Sequence, residues 1–105
     1  MLCPSDQHVV SKFAAELRAR IPGARIIVFG SRARGTADAD SDLDVLVVVE
    51  AIDTGTREIV NDAAWAAGFP DVVVAPVIVA RRDLESGPGR RSVFFQTVLR
   101  EGLVA

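Results

Sequence analysis

Cysteine, lysine and aromatic residues are scarce in this 105-residue chain. Cys3 is the only cysteine, which excludes an internal disulfide and a metal site built from several thiolates, so we expect a reducing, cytoplasmic location. Lys12 is the only lysine and the formal net charge is −2, so the chain lacks the positive field of an extensive nucleic-acid-binding surface. It also lacks an apolar run long enough to cross a membrane and a stretch resembling a signal peptide.

The remaining composition is that of an ordinary folded protein. Half of the residues are apolar and a quarter are charged. A chain of this length can bury one modest core, so we predict a single domain over residues 1–105. Trp65, the only tryptophan, is expected to pack against a sheet rather than to stack on a base.

The spacing of apolar residues predicts helices alternating with short strands. Apolar residues at helical intervals predict a first helix that begins at Pro4 or Ser5 and stops at Pro22. Further helices are predicted over about 54–67 and from 93 to Gly102, and strands over 25–29, 43–49 and 71–79. Pro76 indicates an edge strand or a bulge. The fold class is therefore α+β, with a small mixed β-sheet of three or more strands packed with helices.

Two aspartates begin the second predicted strand. Asp42 and Asp44 are two residues apart, so their side chains should leave the same face of the strand. Like charges at close range repel unless a cation lies between them. Mg²⁺ is commonly held by one or two carboxylates together with substrate phosphates, and a second ion can share the same oxygens. A calcium loop from Asp38 is disfavoured, because Leu43 and Val49 stand where its glycine and glutamate are needed.

A candidate phosphate-binding turn follows the first strand. Gly30 and Ser31 offer backbone N–H groups, a hydroxyl and close approach of the main chain, and Arg32 and Arg34 add positive charge. This turn reaches the aspartates only if the first two strands are antiparallel, which the intervening loop permits. A helical crossover should make the next strand parallel, bringing Asp71 at its predicted start to the same edge.

The joint pattern resembles a known family. Gly30 and Ser31, followed after ten residues by Asp42-x-Asp44, and the fuller run GSRARGTADADSDLDVLVVV are similar to the signature of minimal nucleotidyltransferases of the DNA polymerase β superfamily. The order of the predicted elements extends the resemblance over almost the whole chain. It implies transfer of a nucleoside monophosphate from a nucleoside triphosphate, with ATP as the expected donor, to an acceptor hydroxyl.

The resemblance also implies roles for individual residues. Gly30 and Ser31 would bind the triphosphate, while Asp42 and Asp44 would be catalytic metal ligands. The third carboxylate of the family lies on the neighbouring strand, where Asp71 is the only acidic residue near the expected position. The expected position could equally be 73, which is Val73, and the family pattern would then be incomplete.

The residues alone do not identify the acceptor of the transferred nucleotide. In the families that this chain resembles, short members often pair with a separate helical HEPN protein as antitoxin and toxin, and can neutralise it by placing AMP on it. A HEPN protein is therefore the expected partner and a protein hydroxyl the expected acceptor. The alternatives are a nucleotide-binding or protein-binding subunit that acts by contact, and a transferase for small molecules of the aminoglycoside type, for which a homo-oligomer would complete the acceptor pocket.

Overall fold

In the part of the chain that the structure describes, a four-stranded mixed β-sheet has helices packed on both faces. A computed structural model describes residues 2–86 and 91–105. The elements in chain order are α1 (Pro4–Arg20), β1 (Arg25–Phe29), α2 (Gly30–Arg34), β2 (Leu43–Val49), α3 (Thr54–Gly68), β3 (Val74–Ala80), α4 (Arg81–Glu85), α5 (Val93–Glu101) and β4 (Leu103–Val104). The α+β prediction with a mixed sheet is confirmed.

The strand order β3-β2-β1-β4 places the two apolar strands of the sequence pattern at the centre. β1 and β2 are antiparallel, and Phe29 pairs with Asp44. β2 and β3 are parallel, and Asp44 pairs with Ala75. Both orientations follow the expectation from the loop and the helical crossover, and β3, which contains Pro76, lies at an edge.

Helix starts follow the capping residues in the sequence. α1 begins with Pro4, whose missing N–H costs nothing in the first turn. At α3 the side chain of Asp53 accepts a hydrogen bond from the Thr56 N–H at 2.7 Å. Ser92 does the same for α5, where its hydroxyl accepts from the Phe95 N–H at 3.4 Å. These caps explain why the predicted helix starts agree with the structure to within a residue or two.

Alternating side chains of β2 enter two apolar layers. One layer lies between the sheet and helices α1 and α3, and includes Leu43, Val45 and Val47. The other lies on the opposite face, where Leu46 and Val48 pack with residues of β1, β3 and α5. Asp44 belongs to this second face by strand alternation. β2 is thus covered on both sides, as its continuous apolar run predicted.

Two expectations about α3 and the residues that follow it were wrong. The third strand begins at Val74 rather than at residue 71, because the N–H groups of Asp71 and Val72 both donate to the Gly68 carbonyl and hold a turn there. Trp65 does not pack against the sheet. Its side chain is 63% exposed and stacks on Phe69 at 4.3 Å between ring centroids, while small residues of α3 face the sheet instead.

Two further short elements had not been predicted. The strand β4 has only two residues, and α4 has five. Both are too short for a periodic pattern to indicate them. Within the ranges that the structure describes, no helix is long and apolar enough to cross a membrane.

Candidate functional site

The site lies where β1 ends beside the start of β2. The pairing of Phe29 with Asp44 brings Gly30 against the Asp44 side chain. Gly30 has φ 79°, a conformation that residues with a Cβ rarely adopt. A Cβ built at this position would collide with the Asp44 carboxylate. Glycine is therefore needed at this position for two reasons: the backbone turn requires it, and a side chain would have no space beside the carboxylate.

Asp42 and Asp44 interact electrostatically, as strand alternation predicted. The pKa of Asp44 is raised above its usual value, first by partial burial and second by the negative charge of Asp42. The positive charge of Arg34 acts in the opposite direction and lowers the pKa of Asp44. The structure thus brings together Asp42, Asp44 and Arg34, and Gly30 lies against the Asp44 carboxylate.

This donor set fits a hard divalent cation that also binds phosphate. Two carboxylates supply oxygen ligands, and a cation between them would relieve the repulsion that raises the pKa of Asp44. Mg²⁺ keeps several waters and typically takes one or two carboxylates from a protein, together with substrate phosphates. In residues 2–86 and 91–105, no group of three or more histidine, cysteine or acidic side chains is arranged to hold a metal ion.

Ser31 and Arg34 lie on the short helix that follows Gly30. Ser31 is half-buried, and its carbonyl accepts a hydrogen bond from the Thr36 N–H at 3.0 Å. Gly35 ends this helix with φ 77°, which turns the chain back toward the loop that leads into β2. Arg34 is exposed and close enough to Asp44 to influence its pKa. The roles of Ser31 and Arg34 in nucleotide binding stay predictions.

The side chain of Arg32 donates hydrogen bonds to oxygen atoms of α1 and of the loop before β2. Its Nη1 donates to both carboxylate oxygens of Asp6, at 2.9 and 3.2 Å. Its Nε donates to the Ser41 carbonyl at 2.8 Å, and its Nη2 to the Ala39 carbonyl at 3.2 Å. The side chain is only 12% exposed. All three nitrogens therefore donate to protein oxygens, which gives Arg32 a structural role, and its contact with a nucleotide stays a prediction.

Asp6 is the partner that the sequence did not reveal. It lies in the first turn of α1 and its side chain is 7% exposed, so its charge depends on Arg32 for compensation. An acidic residue in the first turn of a helix is common, because its negative charge interacts favourably with the helix dipole. No local pattern indicates that its partner is 26 positions away. Through Arg32, Asp6 helps to hold the loop residue that directly precedes Asp42.

Asp71 is not brought to the two aspartates. It lies in the turn before β3 and borders a surface pocket together with Asp6, His8 and Arg32. The main chain beside Asp42 is instead that of Val73, whose carbonyl accepts the Leu43 N–H at 2.9 Å. Ala75 pairs with Asp44. This arrangement corresponds to the incomplete family pattern considered for Val73, and the catalytic and metal-binding roles of Asp71 remain predictions.

Comparison with known proteins agrees with this geometry. The family model described as "Nucleotidyltransferase domain" matches residues 10–85. The matched range contains Gly30, Ser31, Asp42 and Asp44. The chain is also 38% identical over 56 residues to a protein of Methanocaldococcus jannaschii that bears the name "Putative protein adenylyltransferase". That alignment spans 51% of this chain and 57% of the relative.

Proposed function

Because the chain belongs to the nucleotidyltransferase domain family, we propose that it transfers AMP from ATP to a hydroxyl group of a partner protein. The observation that carries this proposal is the close approach of the Gly30 backbone to the Asp44 carboxylate. A triphosphate lying against this turn would have its phosphates next to the paired carboxylates of Asp42 and Asp44. No side chain at residue 30 separates the two groups.

Each residue of the site has a proposed task. Gly30 and Ser31 bind phosphate oxygens through main-chain N–H groups and the serine hydroxyl, and Arg34 adds a positive charge at the edge. Asp42 and Asp44 would hold Mg²⁺, which would neutralise phosphate charge. The acceptor oxygen forms a bond to the α-phosphorus as the bond to the pyrophosphate oxygen breaks, and the hydroxyl proton is released. Positioning and charge neutralisation supply most of the rate in such transfers.

The acceptor proposed here is a helical HEPN protein, which the transfer would neutralise as an antitoxin does. Support comes from the resemblance to the minimal nucleotidyltransferases and from the relative that is named a protein adenylyltransferase. Asp42 is exposed and Asp44 is half-buried, on the strand next to the edge strand β3. An open site of this kind suits an acceptor that brings its own surface.

A second candidate function is neutralisation of the partner by contact, with nucleotide binding but little turnover. The observation that favours it is the pairing of Asp44 with Ala75, together with the position of Asp71 in the turn before β3. A missing third carboxylate should reduce the rate of transfer more than it reduces nucleotide binding.

Label transfer separates the two candidates. The purified chain is incubated with ATP labelled at the α-phosphate, Mg²⁺ and the product of the adjacent gene, the candidate HEPN partner. We expect label on the partner, background transfer with Asp44→Asn, and normal transfer with Asp40→Asn, which changes an exposed loop carboxylate. A complex that forms equally well with wild type and Asp44→Asn, without any labelling, would refute the enzymatic proposal and support neutralisation by contact.

A further inference from the structure

A cavity of about 270 Å³ lies beside Gly30, on the sheet face that carries Asp44. Its walls come from the end of β1, from α2 and from α5. Phe29 and Phe94 supply aromatic surface, while Arg34, Thr97 and Glu101 supply the polar groups. None of the roles described above uses this cavity.

The cavity is continuous with the candidate phosphate-binding turn. Gly30 lines it and at the same time lies against the Asp44 carboxylate. Arg34 also lines it and lies on α2, the short helix that Gly30 begins. A ligand whose phosphates lie at Gly30 and Ser31 therefore has the remainder of its structure within reach of the cavity. This continuity indicates part of the same ligand rather than an unrelated molecule.

The walls have the chemistry that recognises a flat heteroaromatic ring. Phe29 and Phe94 meet edge to face with their centroids 5.4 Å apart, yet Phe94 stays 46% exposed and retains surface for another ring. Thr97 and Glu101 follow Phe94 by three and seven positions, which places all three on one side of α5. A hydroxyl and a carboxylate at that wall can pair with the donors and acceptors at the edge of a base.

The size of the cavity is compatible with a base. Its volume of about 270 Å³ lies near the lower end of the range for ligand pockets, roughly 300–1,000 Å³. A bicyclic base fits this space. The cavity is partly open, so the ribose and phosphates of the same nucleotide can extend from it along Gly30.

We propose that this cavity binds the purine base of the nucleoside triphosphate, with Phe94 stacking on the ring and Thr97 and Glu101 at its edge. The proposal rests on the proposed function, because that function places the phosphates at Gly30 and Ser31. It adds a determinant of nucleotide selectivity on α5, outside the turn and the paired aspartates.

Calorimetric titration with Mg²⁺ present tests the proposal with three probes: ATP, UTP and inorganic tripolyphosphate. Wild type should bind ATP more tightly than UTP. Phe94→Ala should weaken ATP binding by about 5- to 150-fold, the range of one lost base stack, and should leave tripolyphosphate binding unchanged. Val93→Ala is the matched control, because Val93 is adjacent, 78% exposed and outside the cavity wall, and it should bind all three probes as wild type does.

Tripolyphosphate binding also shows whether each variant keeps a folded phosphate site. Phe94→Leu, which retains apolar volume but not the ring, should likewise lose affinity for ATP. Equal ATP affinity in wild type, Phe94→Ala and Phe94→Leu would overturn the base-binding proposal while leaving the proposed function standing. Failure of wild type to bind tripolyphosphate would overturn the proposed function, and with it the base-binding proposal.

Discussion

At the scale of single residues, the Asp44 carboxylate is held in an environment that disfavours its charge. Partial burial and the negative charge of Asp42 raise its pKa, and Arg34 compensates only in part. The folded protein therefore binds the Asp44 proton more tightly than the unfolded chain does. By linkage, ionised Asp44 opposes folding above the folded-state pKa, and this cost disappears as the pH falls below the unfolded value.

Asp44→Asn should therefore stabilise the metal-free protein at neutral pH. We expect its free energy of unfolding to rise by only roughly 0.5 kcal/mol at pH 7, because solvent screens the half-buried carboxylate. The gain should shrink as the pH falls through the raised pKa of Asp44, and should be lost below the unfolded-state pKa of about 3.9. Urea denaturation in the presence of a chelator measures the free energy of unfolding at each pH. Asp40→Asn should show no such gain, and a less stable Asp44→Asn at pH 7 would contradict this explanation.

At the site, the sequence predicted which side chains share a strand face, but it did not predict the contacts of Arg32 within the protein. Strand alternation fixes which side chains share a face, so the proximity of Asp42 and Asp44 needed no structure. The contacts of Arg32 did need one, since a guanidinium next to a phosphate turn is equally suited to a ligand and to a buried carboxylate. Its actual partner, Asp6, is 26 positions away in sequence, beyond any local pattern.

At the scale of elements, α1 is joined to the loop before β2 through a single arginine. Arg32 on α2 binds Asp6 of α1 and the carbonyls of Ala39 and Ser41 at once. The same loop is closed by Asp38, which accepts from the Asp40 N–H and the Ser41 hydroxyl. The loop residues that precede Asp42 are thus held in place by the ion pair between Arg32 and Asp6. This pair is almost fully shielded from water.

Asp6→Ala should destabilise the protein severely, by roughly 3 kcal/mol, because it leaves the charge of Arg32 with little compensation in a shielded position. Chemical denaturation measures the loss. Glu50→Ala, which removes the exposed ion pair with Arg81, is the control and should hardly change the midpoint. Replacing both shielded partners, as Asp6→Leu with Arg32→Met, should recover much of the loss. An unchanged midpoint for Asp6→Ala would show that the pair contributes nothing to stability.

Element boundaries were predictable where a capping side chain marks them. Asp53 and Ser92 each accept a main-chain N–H, so α3 and α5 begin where the sequence indicates. The start of β3 was misplaced because Asp71 belongs to a turn held by the Gly68 carbonyl, and tertiary structure rather than residue type decides that turn. The position of Asp71 relative to the site depended on this boundary.

At the scale of the whole molecule, the central sheet joins the two apolar layers. β2 contributes Val45 and Val47 to the layer under α1 and α3, and Leu46 and Val48 to the opposite layer. Unfolding of either layer therefore exposes side chains of the same strand. We expect both layers to unfold in a single cooperative transition, as small domains usually do.

Leu46→Ala tests this coupling from one side of the sheet. Leu46 is fully buried, so its truncation should cost about 2–5 kcal/mol. Trp65, the only tryptophan, lies on α3 on the other side and reports its surroundings by fluorescence. The midpoints seen by tryptophan fluorescence and by far-ultraviolet circular dichroism should shift together. A fluorescence midpoint that stays in place while the dichroism midpoint moves would show that the layers unfold separately.

Topology was the most predictable property of the whole molecule. A twelve-residue loop, residues 30–41, permitted an antiparallel first pair, and the helix between the second and third strands required a parallel one. What the sequence could not reveal was the residue-by-residue alignment of β2 and β3. That alignment, with Asp44 opposite Ala75, depends on how α3 packs across the sheet.

The same alignment has a consequence for how this activity can change by mutation. Ala75 pairs with Asp44 on the adjacent parallel strand and is half-buried. Two of the four alanine codons become aspartate codons by one base substitution. For those codons, one base substitution places a third carboxylate at residue 75, directly opposite Asp44 in the strand pairing. On the proposed function, such a change would alter the rate of transfer and leave the pairing of the strands as it is.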